Sequence, residues 1–372
     1  MAFITEEVTM QSIQELTKLL NLHFNWNKAR MDCFVGMLIG LLKLRTVNLT
    51  ELATAFPSPA QPESRYRRIQ RFLADYTINF DSVAGFIMRW FDFLENDYYL
   101  VIDRTNWQWG NKNINILLLA VVYKGVAIPI YWIILNKKGN SNTRERIALM
   151  KRFIKKFGKI HIKALLADRE FIGKDWIKWL KKEKISFFIR IKKNAKIPNS
   201  TGIEVPAKNL FRFLKPSEKL VLTGERKMTG AAVYISGLRL DDGQLLIVAT
   251  DQPGDQAIEQ YAERWEIETL FGCFKSRGFN LEDTHITCRL RIKRLLVVLT
   301  IAFCWAHRTG EWQHEHIKAI KVKKHLRLAK SIFRVGLDHI RETLLSTTSS
   351  LKVALEILIK FIHIKQYDCS IQ

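Results

Sequence analysis

Tyr261, Arg264, Glu268 and Lys275 follow one another with the spacing Y-x2-R-x3-E-x6-K in the segment YAERWEIETLFGCFK. On a continuous helix turning about 100° per residue, offsets of 3, 7 and 14 fall near 300°, 340° and 320° from Tyr261. One carboxylate would then sit between two cations and a phenol. Ile267, Leu270, Phe271 and Phe274 fall beside this polar stripe and supply a face to bury. That pattern suits an active-site helix. It also suits a solvated helix face, because Arg264 and Glu268 are four apart and such ion pairs are common on surfaces.

Two further acids bear on the choice. Asp103 follows the run Tyr98-Tyr99-Leu100-Val101-Ile102 and opens DRTNWQWG, which reads as a buried strand delivering a carboxylate to its exposed C-terminal end. Asp168 follows Ala164-Leu165-Leu166-Ala167 in the same way and opens DREFIG. Two Asp at strand ends and a Glu on a later helix form an oxygen-only ligand set. Such a set suits Mg²⁺, with Mn²⁺ as a substitute, and does not suit zinc. Two such ions, roughly 3.5–4 Å apart, run phosphoryl transfer by activating the attacking oxygen and stabilising the leaving one.

DRTNW around Asp103, ADREFIG around Asp168 and the Y-x2-R-x3-E-x6-K segment together resemble the bacterial cut-and-paste DDE transposases of insertion-sequence family four. The similarity extends to FIRIKKN after the second Asp, GFNLEDTH after Lys275, SRYRRIQRF in the N-terminal third and AKSIFRVGLDHIRETL near the end. The resemblance implies that Asp103, Asp168 and Glu268 are the catalytic metal ligands for two Mg²⁺ ions. It implies that Tyr261, Arg264 and Lys275 hold the phosphates of the transposon end. It also implies a homodimer in the synaptic complex, since two ends must be brought together.

Composition points to the same partner independently. The chain of 372 residues carries 59 Lys and Arg against 36 Asp and Glu, a net charge of +23, which calls for a polyanion. A membrane surface or nucleic acid would each serve. Eighteen basic and five acidic residues lie between Arg144 and Lys196, so more than half of the net charge falls in the stretch that contains Asp168. These cations, among them Arg190, Lys192 and Lys193 of FIRIKKN, read as a track for a DNA backbone. The other reading is a set of solvated helix faces whose Lys stems cover apolar surface.

The elements that must position these groups follow from periodicity. The expected fold class is α/β (α+β): a strand ending at Asp103, a hairpin over 114–135, a basic helix near 143–157, a strand ending at Asp168, a helix near 173–184 and a strand near 185–191. This order resembles a ribonuclease-H-like mixed sheet with flanking helices, in which the Asp of the first strand and that of the fourth lie side by side. The domain plan is a helical DNA-binding region over 1–95, a catalytic domain over 96–194 and 257–310, a β-rich insertion over 195–256 and a helical C-terminal region over 311–372 for DNA contact or dimerisation. Within the insertion, Lys219–Leu222, Ala231–Leu240 and Gln244–Thr250 alternate with period two, and Asp241-Asp242-Gly243 makes a turn, so a small β-meander is expected. In the N-terminal region Asn48 or Thr50 caps one helix, and Ser64–Phe72 forms another that offers Arg65, Arg67, Arg68 and Arg71 to DNA in a helix-turn-helix-like arrangement.

Several classes are set aside. The apolar stretch Ile114–Leu135 reaches the length of a membrane span, about 20 residues, but Lys124-Gly125 interrupts it and its Ile, Val and Tyr content suits paired strands, so no membrane partner is expected. No nucleotide-binding G-x4-G-K-[S/T] is present, and transesterification needs no nucleotide cofactor. Five scattered cysteines without a C-x2-C pair and an N-terminus without a signal-like segment suit the bacterial cytoplasm, on the nucleoid. His314-Glu315-His316 lacks a third partner for a metal. Residues 200–256 contain no Trp, whereas relatives with a β-rich insertion use one to hold a flipped base; Tyr234 is the candidate substitute, and excision through a hairpin stays an open alternative. A non-catalytic DNA-binding regulator and a ribonuclease-H-like nuclease are the rival readings.

Overall fold

Asn and Pro punctuate the first ninety residues into five helices in the computed structural model, which describes residues 2–324 and 328–345. They are α1 (Ala2–Phe24), α2 (Lys28–Leu44), α3 (Leu49–Thr54), α4 (Pro62–Asp75) and α5 (Phe80–Trp90). Asn27, Asn48 and Asn79 each accept a hydrogen bond from a backbone N–H of the first turn, the N-cap arrangement that satisfies otherwise orphaned donors. Of Asn48 and Thr50, it is Asn48 that caps α3. Pro62 starts α4, where its missing N–H costs nothing. That helix buries Ile69, Phe72 and Leu73 and leaves Arg67 and Arg71 exposed.

The sheet follows in chain order: β1 (Tyr98–Trp109), β2 (Lys112–Tyr123), β3 (Val126–Leu135), α6 (Thr143–Phe157), β4 (Ile162–Ala167), α7 (Lys174–Lys182) and β5 (Phe187–Arg190). The apolar stretch 114–135 is thus two antiparallel strands, turned at Lys124 and Gly125 with φ of 43° and 85°. An Asn142–Glu145 capping box starts α6. One expectation needs correction. β1 does not end at Asp103 but continues to Trp109, because Thr105 and Trp107 alternate inward with the exposed Asn106 and Gln108 and β2 still flanks the strand after β4 has ended. Asp103 is therefore buried within a strand, at 8% exposure.

Short elements come next: β6 (Lys196–Pro198), β7 (Glu204–Pro206), α8 (Ala207–Leu210), β8 (Lys219–Val221), β9 (Arg226–Met228), β10 (Ala231–Arg239) and β11 (Leu245–Thr250). The meander expected from the alternation is present, with its turn at Asp241–Gly243. It is not a separate sheet. β11 pairs antiparallel with β5 and β10 with β11, so the main sheet runs β3-β2-β1-β4-β5-β11-β10-β8 with β9 beside β10. Parallel β1, β4 and β5 at the centre, flanked by antiparallel β2 and β3, give the mixed sheet of a ribonuclease-H-like fold. Both faces of these central strands are apolar and buried, as parallel strands between helices require.

Helices α9 (Ala257–Ala262) and α10 (Trp265–Phe274) precede a long helix, α11 (Arg289–Trp312), and α12 (Ile332–Leu345). Packing divides the chain into two units: one of residues 93–106 and 115–269, the other of residues up to 92, the outer end of the β1–β2 hairpin (107–114) and the chain from Leu270 onward. These units cut across the boundaries drawn from sequence, since α11 packs with the N-terminal helices. Arg294 of α11 donates to the carbonyls of Leu73 and Ala74 at the end of α4, and Arg45 donates to those of Arg277 and Gly278. Gly310 and Gly336 let α11 and α12 cross closely: a methyl at Gly336 would overlap the Ala306 carbonyl. Expectations for residues 346–372 lie outside the described residues.

Candidate active site

The parallel register of β1 and β4 brings the two aspartates together. Ile102 pairs with Ala167, so Asp103 and Asp168 are the next residues on adjacent strands. Ala167 pairs in turn with Ile189, which puts Arg190 beside Asp168 from the other side. Arg264 reaches this edge from the chain between α9 and α10. Its guanidinium donates to Asp103 Oδ2 at 2.8 Å and to Glu268 Oε1 at 3.1 Å. The Tyr261 hydroxyl lies 3.5 Å from Asp168 Oδ1. Asp103, Asp168, Glu268, Tyr261 and Arg264 therefore converge in one unit.

Their environments differ. The Asp103 and Arg264 side chains are 12% and 5% exposed, whereas that of Glu268 is 46% exposed. Burial pushes Asp103 up to about 7, against the pull of Arg264 and of the Arg104 N–H that its own Oδ1 accepts at 2.7 Å, with Glu268 and Asp168 adding to the rise. Burial likewise raises the Tyr261 phenol to about 12, so it stays a proton donor at neutral pH. Arg264 keeps its charge.

The helix expected to carry the whole Y-x2-R-x3-E-x6-K stripe is interrupted. α9 stops at Ala262 and α10 begins at Trp265. Across the joint, Arg264, Glu266 and Ile267 donate to carbonyls three residues back, the tighter bonding of a 3-10 turn. Two tertiary attachments outweigh helix continuity there. One is the buried Arg264–Asp103 pair. The other is Glu266, whose carboxylate accepts from the N–H groups of Tyr123 and Gly125 at the β2–β3 turn. Lys275 falls beyond α10, in a turn of the other unit, and pairs with Glu282 at 2.7 Å. The structure does not bring it into the cluster within the sheet unit.

Residues that the sequence reading passed over hold the strand ends in place. Arg104 follows Asp103 and makes a forked pair with Glu170, two residues after Asp168, at 3.3 and 3.1 Å. It also donates to Asn115 and Asn140. Arg146 of α6, 4% exposed, donates to the Glu170 carbonyl at 2.9 Å and stacks over Phe171. Opposite charges abutting both acids, in DR and in DRE, were the available signal.

The expected DNA contacts divide into committed and free side chains. Arg65 spends its guanidinium on the carbonyls of Ala53, Thr54 and Ala60. Arg68 donates to Ala29 and lies over Phe56. Arg67 and Arg71 are exposed on α4, as Lys192 and Lys193 are after β5, with Arg190 half-buried.

Three carboxylates converging on one edge supply hard oxygen donors, the chemistry that Mg²⁺ or Mn²⁺ requires. As placed, the Arg264 guanidinium lies between Asp103 and Glu268 and provides the positive charge they need. Among the described residues no three His, Cys, Asp or Glu stand close enough together to chelate an ion. No helix among them is long and apolar enough to cross a membrane.

The Transposase DDE domain family matches residues 96–305. No curated protein matches the chain. Among solved structures, the cryo-EM structure of the piggyBac transposase synaptic complex with hairpin DNA is similar at a TM-score of 0.46 and 11% identity, over 93% of this chain and 74% of that one. A family match that covers more than half of the sequence and encloses Asp103, Asp168 and Glu268 places the chain in the Transposase DDE domain family.

Proposed function

We propose that this transposase belongs to an insertion sequence, binds the inverted repeats at the element's ends and catalyses strand cleavage followed by strand transfer, acting as a dimer on DNA. The observation that carries the reading is the meeting of Asp103, Asp168 and Glu268 around Arg264, beside the Tyr261 hydroxyl. In the first step a water oxygen forms a bond to phosphorus and the bond to the 3′ oxygen breaks, freeing a 3′ hydroxyl. In the second, that hydroxyl attacks a phosphodiester of the opposite strand or of target DNA. Asp103, Asp168 and Glu268 would hold two divalent cations. When bound, these supply activation of the attacking oxygen and stabilisation of the leaving one. Arg264 can turn from the carboxylates to the phosphate, which it would neutralise through charge-assisted hydrogen bonds. Tyr261, protonated at neutral pH, donates to a phosphate oxygen. Lys275, Arg67 and Arg71 are assigned to the DNA backbone farther from the reacting atoms.

The test is a labelled duplex carrying the repeat that flanks the gene, incubated with Mg²⁺ or EDTA. Wild-type protein should nick it at the repeat boundary only with metal. Asp103→Asn and Glu268→Gln should bind the duplex as wild type does and leave it intact. Folded variants that still cleave would refute the assignment, and tight binding by wild-type protein without cleavage would favour a regulator.

A further inference from the structure

A recess of about 830 Å³ opens beside Asp168 in the sheet unit. Its lining includes six cations: Arg169, next in sequence to Asp168; Arg190, beside Asp168 in the strand register; Lys192 and Lys193 after β5; and Lys208 and Arg212 from the segment around α8. Arg169, Lys192, Lys193, Lys208 and Arg212 are exposed. The one acid in the lining, Asp242, spends its carboxylate on the backbone N–H and side-chain amide of Gln244. Arg239, also in the wall, is taken up by the carbonyls of Phe211, Leu214 and Gly243. The positive charge that remains has no counter-ion among the described lining residues.

At the rim stands an unusual side chain. Phe213 is 79% exposed, and the Arg212 guanidinium lies over its ring at 4.5 Å. An exposed aromatic beside a row of cations is the pattern with which proteins hold unpaired nucleic acid, the cations following phosphates and the ring stacking on a base. The shape argues likewise. A recess of this size matches the pockets that take small molecules, about 300–1,000 Å³. A duplex, whose major groove alone is about 12 Å wide, cannot enter it.

We infer that this recess binds a short unpaired stretch of DNA strand running away from Asp168, with Lys208 and Arg212 on its phosphates and Phe213 against a base. The inference rests on the function proposed above. It adds a second role for the insertion, whose β10 and β11 extend the main sheet from β5 and so fix the recess to the strand next to Asp168. One edge of the sheet would present the reacting phosphate while the adjoining recess retains the strand separated from its complement.

The experiment measures fluorescence anisotropy of a labelled single-stranded oligonucleotide and of the matching duplex, in EDTA over a salt series, with full-length protein. Lys208→Ala/Arg212→Ala should lower the slope of log K against log salt on the single strand by about 1.4, some 0.7 for each phosphate no longer neutralised. Phe213→Ala should weaken single-strand binding by roughly 10-fold, within the range of one base stack, and leave the slope unchanged. Duplex binding should change less than twofold in both. Thermal melts at the wild-type temperature check folding. Equal losses on single strand and duplex, or none on either, overturn the inference. Micromolar competition by inorganic pyrophosphate or a nucleoside triphosphate also overturns it, by assigning the recess to a small polyphosphate. Nicking of the repeat duplex by wild-type protein, run in parallel, separates the two claims: nicking without the single-strand effects rejects the recess alone.

Discussion

Replacing Arg264 with Gln removes the counter-ion of a buried carboxylate, and its cost should depend on pH in a defined direction. The Arg264–Asp103 bond is 2.8 Å long between side chains 5% and 12% exposed. At that separation and an effective dielectric of about 20, the gross attraction is about 6 kcal/mol. Desolvation offsets much of it, yet removing one partner of such a pair costs about 3–5 kcal/mol because the other charge stays buried. The arm to Glu268 spans four residues and ends on a half-exposed carboxylate, so it adds only a few tenths of a kcal/mol. The variant should therefore melt roughly 10 °C below wild type.

The pH dependence follows from Asp103, whose folded value is about 7 against about 3.9 in an unfolded chain. Folded protein keeps a proton that the unfolded chain releases, so the contribution of Asp103 to stability falls as pH rises from about 4 to about 7 and then levels off. Without the guanidinium the folded value climbs further, and the decline continues above pH 7. The penalty for Arg264→Gln should be smallest near pH 5 and largest near pH 9. Melts in EDTA at several pH values, for each single variant and for Arg264→Gln/Asp103→Asn, measure both the penalty and the coupling. The double variant should regain about 2 kcal/mol or more relative to additivity. A penalty independent of pH, or strictly additive variants, would show that Arg264 is not the counter-ion of Asp103.

Two other perturbations test what positions the site and what holds the helical unit. Glu170→Gln weakens the forked pair with Arg104 that links the segments after Asp103 and Asp168; nicking should slow on the order of 10²-fold, as for a reacting group displaced by about 1 Å, while binding of the repeat duplex is unchanged, and an unaltered nicking rate would mean that the strand register alone suffices. Gly336→Ala introduces a methyl against the Ala306 carbonyl and should cost about 1–3 kcal/mol through overpacking, read as a lowered melting temperature without change in the single-strand affinity assigned to the sheet unit.

The strands that carry Asp103 and Asp168 could be read from the chain because burial on both faces leaves a continuous apolar run, and the 114–135 hairpin because Lys124-Gly125 interrupts one. The alternation in the insertion was equally readable, but not its continuation of the main sheet. Strand edges join through backbone groups that every residue carries, so β11 could not announce its pairing with β5. The helical wheel failed for a related reason. It assumes an unbroken helix, whereas Arg264 and Glu266 bond to residues 161 and over 140 positions away, and those bonds tighten the backbone between α9 and α10. Arg104 and Glu170, 66 apart, meet only because the parallel register aligns the residues after Asp103 with those after Asp168. The type and order of the reacting groups are thus local properties of the chain. Their fixing is not, since each of the three attachments at this edge joins residues whose proximity the sheet creates. It follows that a substitution at Arg104, Glu170 or Glu266, none of them among the acids singled out from sequence, should disturb the site almost as much as one at the acids themselves.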